Sequence, residues 1–376
     1  MGVRMVYPVL LPQIRRAYEL NLTSAGLLLT VLFVLYGLGQ WPGGLLADRI
    51  DERVILTGSS IVSALTLLVV VGANSTVMLF TATALFGLSL SFYAVARYTV
   101  LAGLYPDQLG AANGVVSAAS DAGQSAIPPI AGLIAGFLAW EFGLAFSVPF
   151  FVLIAWVLWV VIPGSSDEMS REGSPSESSD DGTSSGSPLE ALRSLKVVVE
   201  QPAVTRGAVV LIVVVSVWQA FTGFYPTYLI EIKGLSALRA SVLFGLFFAL
   251  GVAIQPLSGI AYDRLGIRKT LTAFLGVFAV AMIALPSAGP FWSVLGLTVL
   301  SAALLGAPTT TQSHLLAILP DDAQGSGLGL LRTVSFTIGA ASPVAFGAVA
   351  DRGFFDEGFL VMGGLAAVTV LLVQRL

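Results

Sequence analysis

Long apolar runs, each about 20 residues or longer, alternate with short polar turns along almost the whole chain. An α-helix advances about 1.5 Å per residue, so a run of this length can cross a hydrocarbon layer roughly 30 Å thick. The pattern predicts eleven complete spans, at residues 23–47, 53–73, 76–104, 110–138, 140–162, 203–231, 237–262, 268–287, 290–317, 323–350 and 356–374. We therefore expect an all-α polytopic membrane protein.

The composition supports a membrane protein. Hydrophobic residues make up 56% of the chain and charged residues 11%, whereas soluble domains are about 25% charged. The 40 glycines suit helices that approach each other closely in a bilayer. The chain has no cysteine and one histidine, which argues against disulfides, thiolate metal sites and a cysteine nucleophile. We expect no metal or cofactor, and the net charge of −4 disfavours nucleic acid as a partner.

One polar stretch occurs twice. Residues 40–49, QWPGGLLADR, end the first long run, and residues 255–264, QPLSGIAYDR, lie 215 residues later with Gln, Gly, Asp and Arg in matching places. A repeat of this length indicates a duplicated membrane protein with two pseudo-symmetric halves. We expect six helices in each half, at residues 1–162 and 203–376.

The first apolar segment is shorter than the others. Shifting residue 1 by the repeat distance brings it to the middle of the span at 203–231. The interpretation is a partial first helix that lacks roughly its first dozen residues and packs in the bundle. An eleven-helix protein with a short re-entrant start is the alternative.

The segment between the halves, residues 163–202, is rich in Ser, Gly, Asp and Glu. Such a composition cannot bury a core and predicts a disordered linker. Apolar residues at helical spacing in 188–196 predict a short helix on the membrane surface. With this linker in the cytoplasm, ten Lys and Arg residues lie inside and five outside, as the positive-inside rule requires.

Together, the two six-helix halves, the central linker and the repeated turn resemble the major facilitator superfamily. That family carries the motif G-x-L-A-D-R-x-G-R-[KR] after helix 2 and a weaker copy after helix 8. The residues that match are Gly44, Asp48, Arg49 and Arg53 in the first copy and Gly259, Asp263, Arg264 and Arg268 in the second. The resemblance implies that the motif aspartate latches one transport state. Asp51 and Glu52 depart from the pattern, where the family has Gly and a base. We expect Gly44 to permit close helix contact.

Two further marks of the family point in different directions. Gly114, Gly123, Pro128 and Gly132 in the span 110–138 resemble the antiporter motif, although Ile127 and Ala131 replace two of its glycines. Tyr36, Gln40, Pro42 and Gly44 instead resemble anion–cation symporters. Symport and antiport therefore both stay open.

Ionisable side chains inside membrane spans are costly and mark candidate functional sites. Arg97 and Asp121 lie on consecutive spans, each twelve residues from the turn near residue 109. An antiparallel hairpin puts them at equal depth, so we expect them to pair. Tyr93 and Gln124 share their polar faces. Asp121 is the candidate proton carrier and Arg97 the candidate anion ligand, while a permanent structural salt bridge is the alternative.

The second half has a different polar set. His314 and Arg332 are each nine residues from residue 323 and again equal in depth. Trp218, Gln219 and Tyr225 lie on the span 203–231, and Arg4 and Tyr7 occupy the matching level of the first helix. The resemblance implies that these two helices line the cavity, although an aromatic stripe can also be simple packing. Three buried arginines against one aspartate predict a positive cavity for an anionic solute.

These features favour a secondary active transporter in the cytoplasmic membrane. We expect a monomer that works by alternating access, driven by a proton or sodium gradient, with a small organic solute as its substrate. A proton-linked exporter and a transporter-like sensor that binds solute without moving it are the alternatives. The sequence has no nucleophile–base set and no nucleotide motif, so we do not expect an enzyme.

Overall fold

A computed structural model describes residues 2–47, 50–105, 109–162, 201–320 and 324–376. Within these ranges the chain forms twelve helical passes, numbered here in order, and no strand. In the first half α1 is Gly2–Met5 and Val6–Ala17, α2 Leu22–Leu38 and Gln40–Ala47, α3 Glu52–Val71, α4 Thr76–Leu104, α5 Leu109–Phe137, and α6 Trp140–Ala145 and Val148–Val161. In the second half α7 is Pro202–Glu231, α8 and α9 are the two parts of Ala237–Ala284, α10 is Phe291–Ser301, Ala302–Leu305 and Gly306–Ile318, α11 Gln324–Gly339 and Ser342–Ala350, and α12 Phe355–Val373.

The predicted spans agree closely with these helices. Eight helical segments of the described chain are long and apolar enough to cross a membrane. Many large apolar side chains on the outside are exposed, among them Val77, Phe137 and Trp292, as expected for a surface that faces lipid. The predicted linker and its surface helix lie, up to residue 200, outside the described residues.

The start of the chain packs inside the bundle. Met5, Val6, Leu10 and Ile14 are fully buried, and α1 contacts α5 and α7. A Cβ at Gly2 would lie 2.5 Å from the carbonyl oxygen of Gly123 on α5. The truncation of the first helix stays a prediction.

Polar residues begin several helices. Asn21 accepts from the Ser24 amide at 2.7 Å, Ser75 from the Met78 amide at 3.3 Å, and Asp51 from the Arg53 amide at 2.8 Å. Such caps satisfy amides that have no partner in the first helical turn. Asp51 therefore starts α3 as its N-cap. Gly266, at the equivalent repeat position, instead turns the chain between α8 and α9 with a φ of 76°, which glycine adopts without strain.

The two halves touch closely at one end of the molecule, which we call the closed end. It carries the loops 18–21, 232–236 and 351–354. Both oxygens of Asp351 accept from backbone amides at the start of α2, those of Leu22 and Thr23, at 2.7 Å each. Arg15 Nη1 donates to both carboxylate oxygens of Glu231, at 2.6 and 2.8 Å.

Glycine brings backbones together at the closed end. A Cβ at Gly26 would overlap the Pro343 carbonyl, and one at Gly347 would overlap the Leu22 carbonyl. At the opposite end, which we call the open end, a Cβ at Gly114 or Gly259 would meet no atom within 4 Å. Among the described residues, the backbones of the two halves are therefore in close contact at the closed end, whereas these two glycines of the open end face open space.

Candidate binding cavity

A cavity of about 200 Å³ lies between the two halves. Its polar lining is Arg4, Asp121, Gln124, Gln255, Thr309 and Gln312. Its aromatic lining is Trp218, Phe248 and Phe336. Drug-sized ligands occupy pockets of roughly 300–1,000 Å³, so this space fits a small solute. No group of three or more His, Asp or Glu residues in the described ranges could hold a metal ion.

Arg4 is the cation of this cavity. Its guanidinium carbon lies 4.9 Å from the ring centre of Tyr36 and 5.7 Å from that of Trp218. Its Nε is buried and has no hydrogen-bond acceptor. Aromatic rings hold a cation in place without neutralising it. Arg4 can therefore bind an anionic group that enters the cavity.

Asp121 is the acid of the cavity, and amides hold it. Gln124 Nε2 donates to Asp121 Oδ1 at 3.2 Å, and Gln255 Nε2 donates to Asp121 Oδ2 at 3.0 Å. The predicted ion pair with Arg97 is wrong. Within the described residues the ion pair between Arg15 and Glu231 is the only one. Equal depth fixes the height of two side chains, but the rotation of each helix decides their direction, and Asp121 points towards α8.

Arg97 lies in a second polar cluster, outside the lining of the central cavity. Its Nη2 donates to the Tyr98 hydroxyl at 2.8 Å, and its guanidinium carbon lies 4.6 Å from the centre of the Tyr98 ring. Arg332, on α11 of the other half, interacts with the same hydroxyl. The two predicted arginines of α4 and α11 thus come together, although neither lines the central cavity.

Tyr7 and Tyr225 do not reach the cavity. Both are fully buried. The Tyr7 hydroxyl bonds Thr83 at 3.3 Å, and the Tyr225 hydroxyl bonds Thr298 at 2.6 Å. The two threonines are 215 residues apart, the distance of the sequence repeat. The tyrosines themselves are 218 residues apart, so the two bonds are similar core contacts in the two halves without being exact repeat counterparts.

The remaining candidates have local partners. Gln219 Nε2 donates to the Phe336 carbonyl at 3.1 Å, while its Oε1 is buried without a donor. His314 Nδ1 lies 3.4 Å from the Tyr262 hydroxyl on α8. Tyr93 packs against a small apolar cluster around Ile55 on α3. None of the three lines the cavity.

The first copy of the gating motif is described only in part, because Asp48 and Arg49 lie outside the described residues. The guanidinium carbon of Arg53 lies 4.2 Å from the Trp159 ring centre on α6. The close contact expected at Gly44 is wrong, since a Cβ there would meet only Val95, at 4.0 Å. A Cβ at Gly43 would lie 3.0 Å from the Phe92 ring on α4, so the close contact belongs to the preceding glycine.

The second copy of the motif is exposed. Asp263, Arg264 and Arg268 all face solvent at the open end. None of the three forms an ion pair with another described residue.

The helix-5 glycines have unequal environments. A Cβ at Gly132 would lie 2.5 Å from Ser241 Oγ on α8, whereas one at Gly114 would meet open space. Gly123 faces Gly2 of α1, and Pro128 is buried. Gly123 and Gly132 therefore serve close helix contact, and Gly114 does not do so here.

Gln255 and Tyr98 were not predicted as site residues. In the sequence, Gln255 is marked only as the repeat counterpart of Gln40. An uncharged polar residue within a span is a weak indicator of a binding site. Tyr98 follows Arg97 directly, and residues one apart do not share a helical face. Its hydroxyl reaches Arg97 because both side chains are long.

Comparisons with known proteins agree with the fold. The sequence profile described as Major Facilitator Superfamily matches residues 1–343. A phosphoglycerate transporter protein of Salmonella typhimurium is 23% identical, over 96% of this chain and 83% of that protein. A hexuronate transporter of Bacillus subtilis is 25% identical, over 99% of this chain and 90% of that protein.

Solved structures share the same architecture. A bacterial homologue of the human lysosomal transporter Spinster, in an inward-facing and occupied conformation, superposes with a TM-score of 0.81 at 14% identity, covering 99% of this chain and 92% of that one. The D323A mutant of the nucleoside transporter NupG gives 0.78 at 10% identity, covering 100% and 98%. The chain therefore belongs to the major facilitator superfamily of membrane transporters.

Proposed function

We propose that the protein is a secondary active transporter that moves a small anionic organic solute across the cytoplasmic membrane by alternating access. The observation that carries the proposal is Arg4. Its half-buried guanidinium lies in a cavity between the two halves, beside two aromatic rings and without an acidic partner in the described chain. Charge-assisted bonds to a carboxylate or phosphate are among the strong ones that a protein can offer.

The names of the relatives support an anionic solute. Phosphoglycerate, hexuronate and nitrate, the solutes in the names of three relatives, all carry negative charge. The polar groups of Gln124, Gln255, Thr309 and Gln312 around Arg4 suit a solute that also has hydroxyl groups. Such a solute would place its acidic group at Arg4.

The direction of opening supports alternating access. The helix α6 ends at Val161 and α7 begins at Pro202 at the open end, and the charge bias of the sequence favours the cytoplasm for that side. The likeness to a solved inward-facing transporter supports the same orientation. The transport cycle then requires the closed end to separate and the open end to close.

Coupling to a proton gradient rests on Asp121, the carboxylate in the cavity. Because neutral amides hold it, it can gain and lose a proton without breaking an ion pair. This arrangement also suits a proton-linked exporter, which is the second candidate.

Uptake into proteoliposomes tests the proposal. We expect uptake of hexuronate or phosphoglycerate, but not of a neutral hexose, by the wild type. Arg4→Gln should weaken it at least tenfold, because a charge-assisted hydrogen bond contributes about 1.5–3 kcal/mol. The matched control is Arg239→Gln, an exposed arginine at the closed end, and Arg4→Lys should keep part of the activity. Unchanged anion uptake by a folded Arg4→Gln protein would contradict the proposal.

A further inference from the structure

Two arginines from opposite halves meet at one hydroxyl between the central cavity and the open end. Arg97 Nη2 donates to Tyr98 on α4 at 2.8 Å, and Arg332 of α11 interacts with the same hydroxyl. Arg332 lies one helical turn nearer the open end than Phe336, which lines the cavity. A solute that leaves the cavity towards the open end would pass this cluster.

No acid neutralises the two cations within the described chain. Neither Arg97 nor Arg332 takes part in an ion pair there. The Nε atom of each is buried and lacks an acceptor. Asp121, the nearest candidate partner in the sequence, is bound to Gln124 and Gln255 instead.

A buried guanidinium Nε without an acceptor is costly, and two like charges at one hydroxyl add repulsion. Both costs fall when an oxyanion lies between them, because each planar fork can donate two parallel hydrogen bonds to a carboxylate or phosphate. The cluster therefore has the hydrogen-bond donors of an anion site, but no anionic acceptor among the described residues.

We propose that Arg97, Tyr98 and Arg332 form a second oxyanion site, separate from Arg4, at the open end of the cavity. Its occupant is a carboxylate or phosphate group that arrives from the open side. Because one arginine belongs to each half, a bound oxyanion draws α4 and α11 together. The site thus favours closure of the open end when an anion is present.

Inorganic phosphate is the probe for this site. The chain has no cysteine, so spin labels on Leu104→Cys and Gly329→Cys, both exposed near the open ends of α4 and α11, report one distance. In detergent at fixed pH, we expect phosphate to shorten this distance. Arg97→Gln and Arg332→Gln should each raise the phosphate concentration needed at least tenfold, and Arg239→Gln should not change it.

Further arms separate the possible sources of the anion and guard against misfolding. Arg332→Lys keeps the charge without the fork and should give an intermediate response. Nanodiscs of anionic phospholipid without phosphate, compared with zwitterionic lipid, show whether a headgroup can occupy the site. Shortening of the spin-label distance by free phosphate or by anionic lipid supports the site and identifies the source of the oxyanion. No shortening in either arm, or shortening that survives Arg332→Gln, would overturn it. The response needs no solute uptake, so its outcome is independent of the proposed transport function.

Discussion

Asp121 Oδ2 accepts a hydrogen bond from Gln255 Nε2 at 3.0 Å, and this bond joins α5 of one half to α8 of the other. Both side chains line the cavity, and Gln124 holds the second carboxylate oxygen. A cation in place of the glutamines would fix the carboxylate in its charged form. With amide partners, the proton uptake proposed for Asp121 would break no ion pair within the described chain.

Asp121→Asn tests this role with almost no change of shape. Removal of the negative charge should tighten binding of an anion at Arg4, on the order of 1 kcal/mol or about fivefold. Uptake should no longer respond to an imposed pH gradient. Both are measured in proteoliposomes and by titration calorimetry. Glu357→Gln, an exposed acid at the closed end, is the control, and an unchanged response to the pH gradient in Asp121→Asn would refute the role.

Asp351 should control the closed end through its carboxylate. Burial alone would raise its pKa, but hydrogen bonds from the Thr23 hydroxyl and the Thr23 and Leu22 amides, with Arg15 nearby, hold the pKa below its usual value. A depressed pKa means that the bonds stabilise the closed end above the ordinary pKa of about 4. That stability is lost only as the pH falls through the depressed pKa.

Asp351→Ala should therefore loosen the closed end across the whole neutral range. The loss of a helix cap costs about 1 kcal/mol, enough to raise the population of open states several-fold. Spin labels on Asn74→Cys and Phe354→Cys, both exposed at this end, should show a broader, longer distance. The wild type should show no change between pH 6 and 8. If Glu357→Ala broadened the distance as much as Asp351→Ala did, the cap would not be the cause.

Gly132→Val should destabilise the contact between α5 and α8. The added Cβ would lie 2.5 Å from Ser241 Oγ and 2.7 Å from Ser241 Cβ, and overpacking of this kind costs about 1–3 kcal/mol. Gly136→Val on the same helix is the matched control, since a Cβ there meets nothing within 4 Å. Thermal unfolding in detergent should show a lower Tm for Gly132→Val alone. Equal Tm values for the two variants would be inconsistent with the packing.

The sequence predicts the helices well and the directions of their side chains poorly. Apolar run length determines where a span begins and ends, so every pass lies close to its predicted place. Depth follows from counting residues along a hairpin, which is why Arg97 and Asp121 were expected to pair. Direction depends on helix rotation and on neighbours from the other half. Asp121 accordingly meets Gln255, 134 residues away.

The repeat predicts equivalent positions but not equivalent contacts. Asp51 and Gly266 occupy matching places and begin the next helix in different ways. Gly43 and Gly44 are indistinguishable in sequence, and only packing shows that Gly43 faces Phe92. The bonds of Asp351 to Leu22 and Thr23 cross more than 320 residues, and no local pattern indicates them.

Tyr225→Phe and Trp218→Ala should separate core packing from solute binding. Tyr225 bonds Thr298 inside its own half, so its loss should cost about 1 kcal/mol of stability and leave anion affinity unchanged. Trp218 lines the cavity and lies against Arg4, so Trp218→Ala should weaken anion binding several-fold. Calorimetric titration with hexuronate or phosphoglycerate measures the affinities. A large affinity loss in Tyr225→Phe would place that tyrosine in the binding path after all.

Anion flux with the closed end locked is the most direct test of alternating access through this cavity. Arg15 and Glu231 pair across this end, and Arg15→Cys with Glu231→Cys in a chain without other cysteines allows a short bis-methanethiosulfonate reagent to join α1 and α7 through reducible disulfide bonds. We predict that the cross-linked protein still binds the anion from the open side but loses uptake, and that reduction of the link restores uptake. Each single-cysteine variant treated in the same way is the control. Full uptake by fully cross-linked protein would contradict alternating access through this cavity.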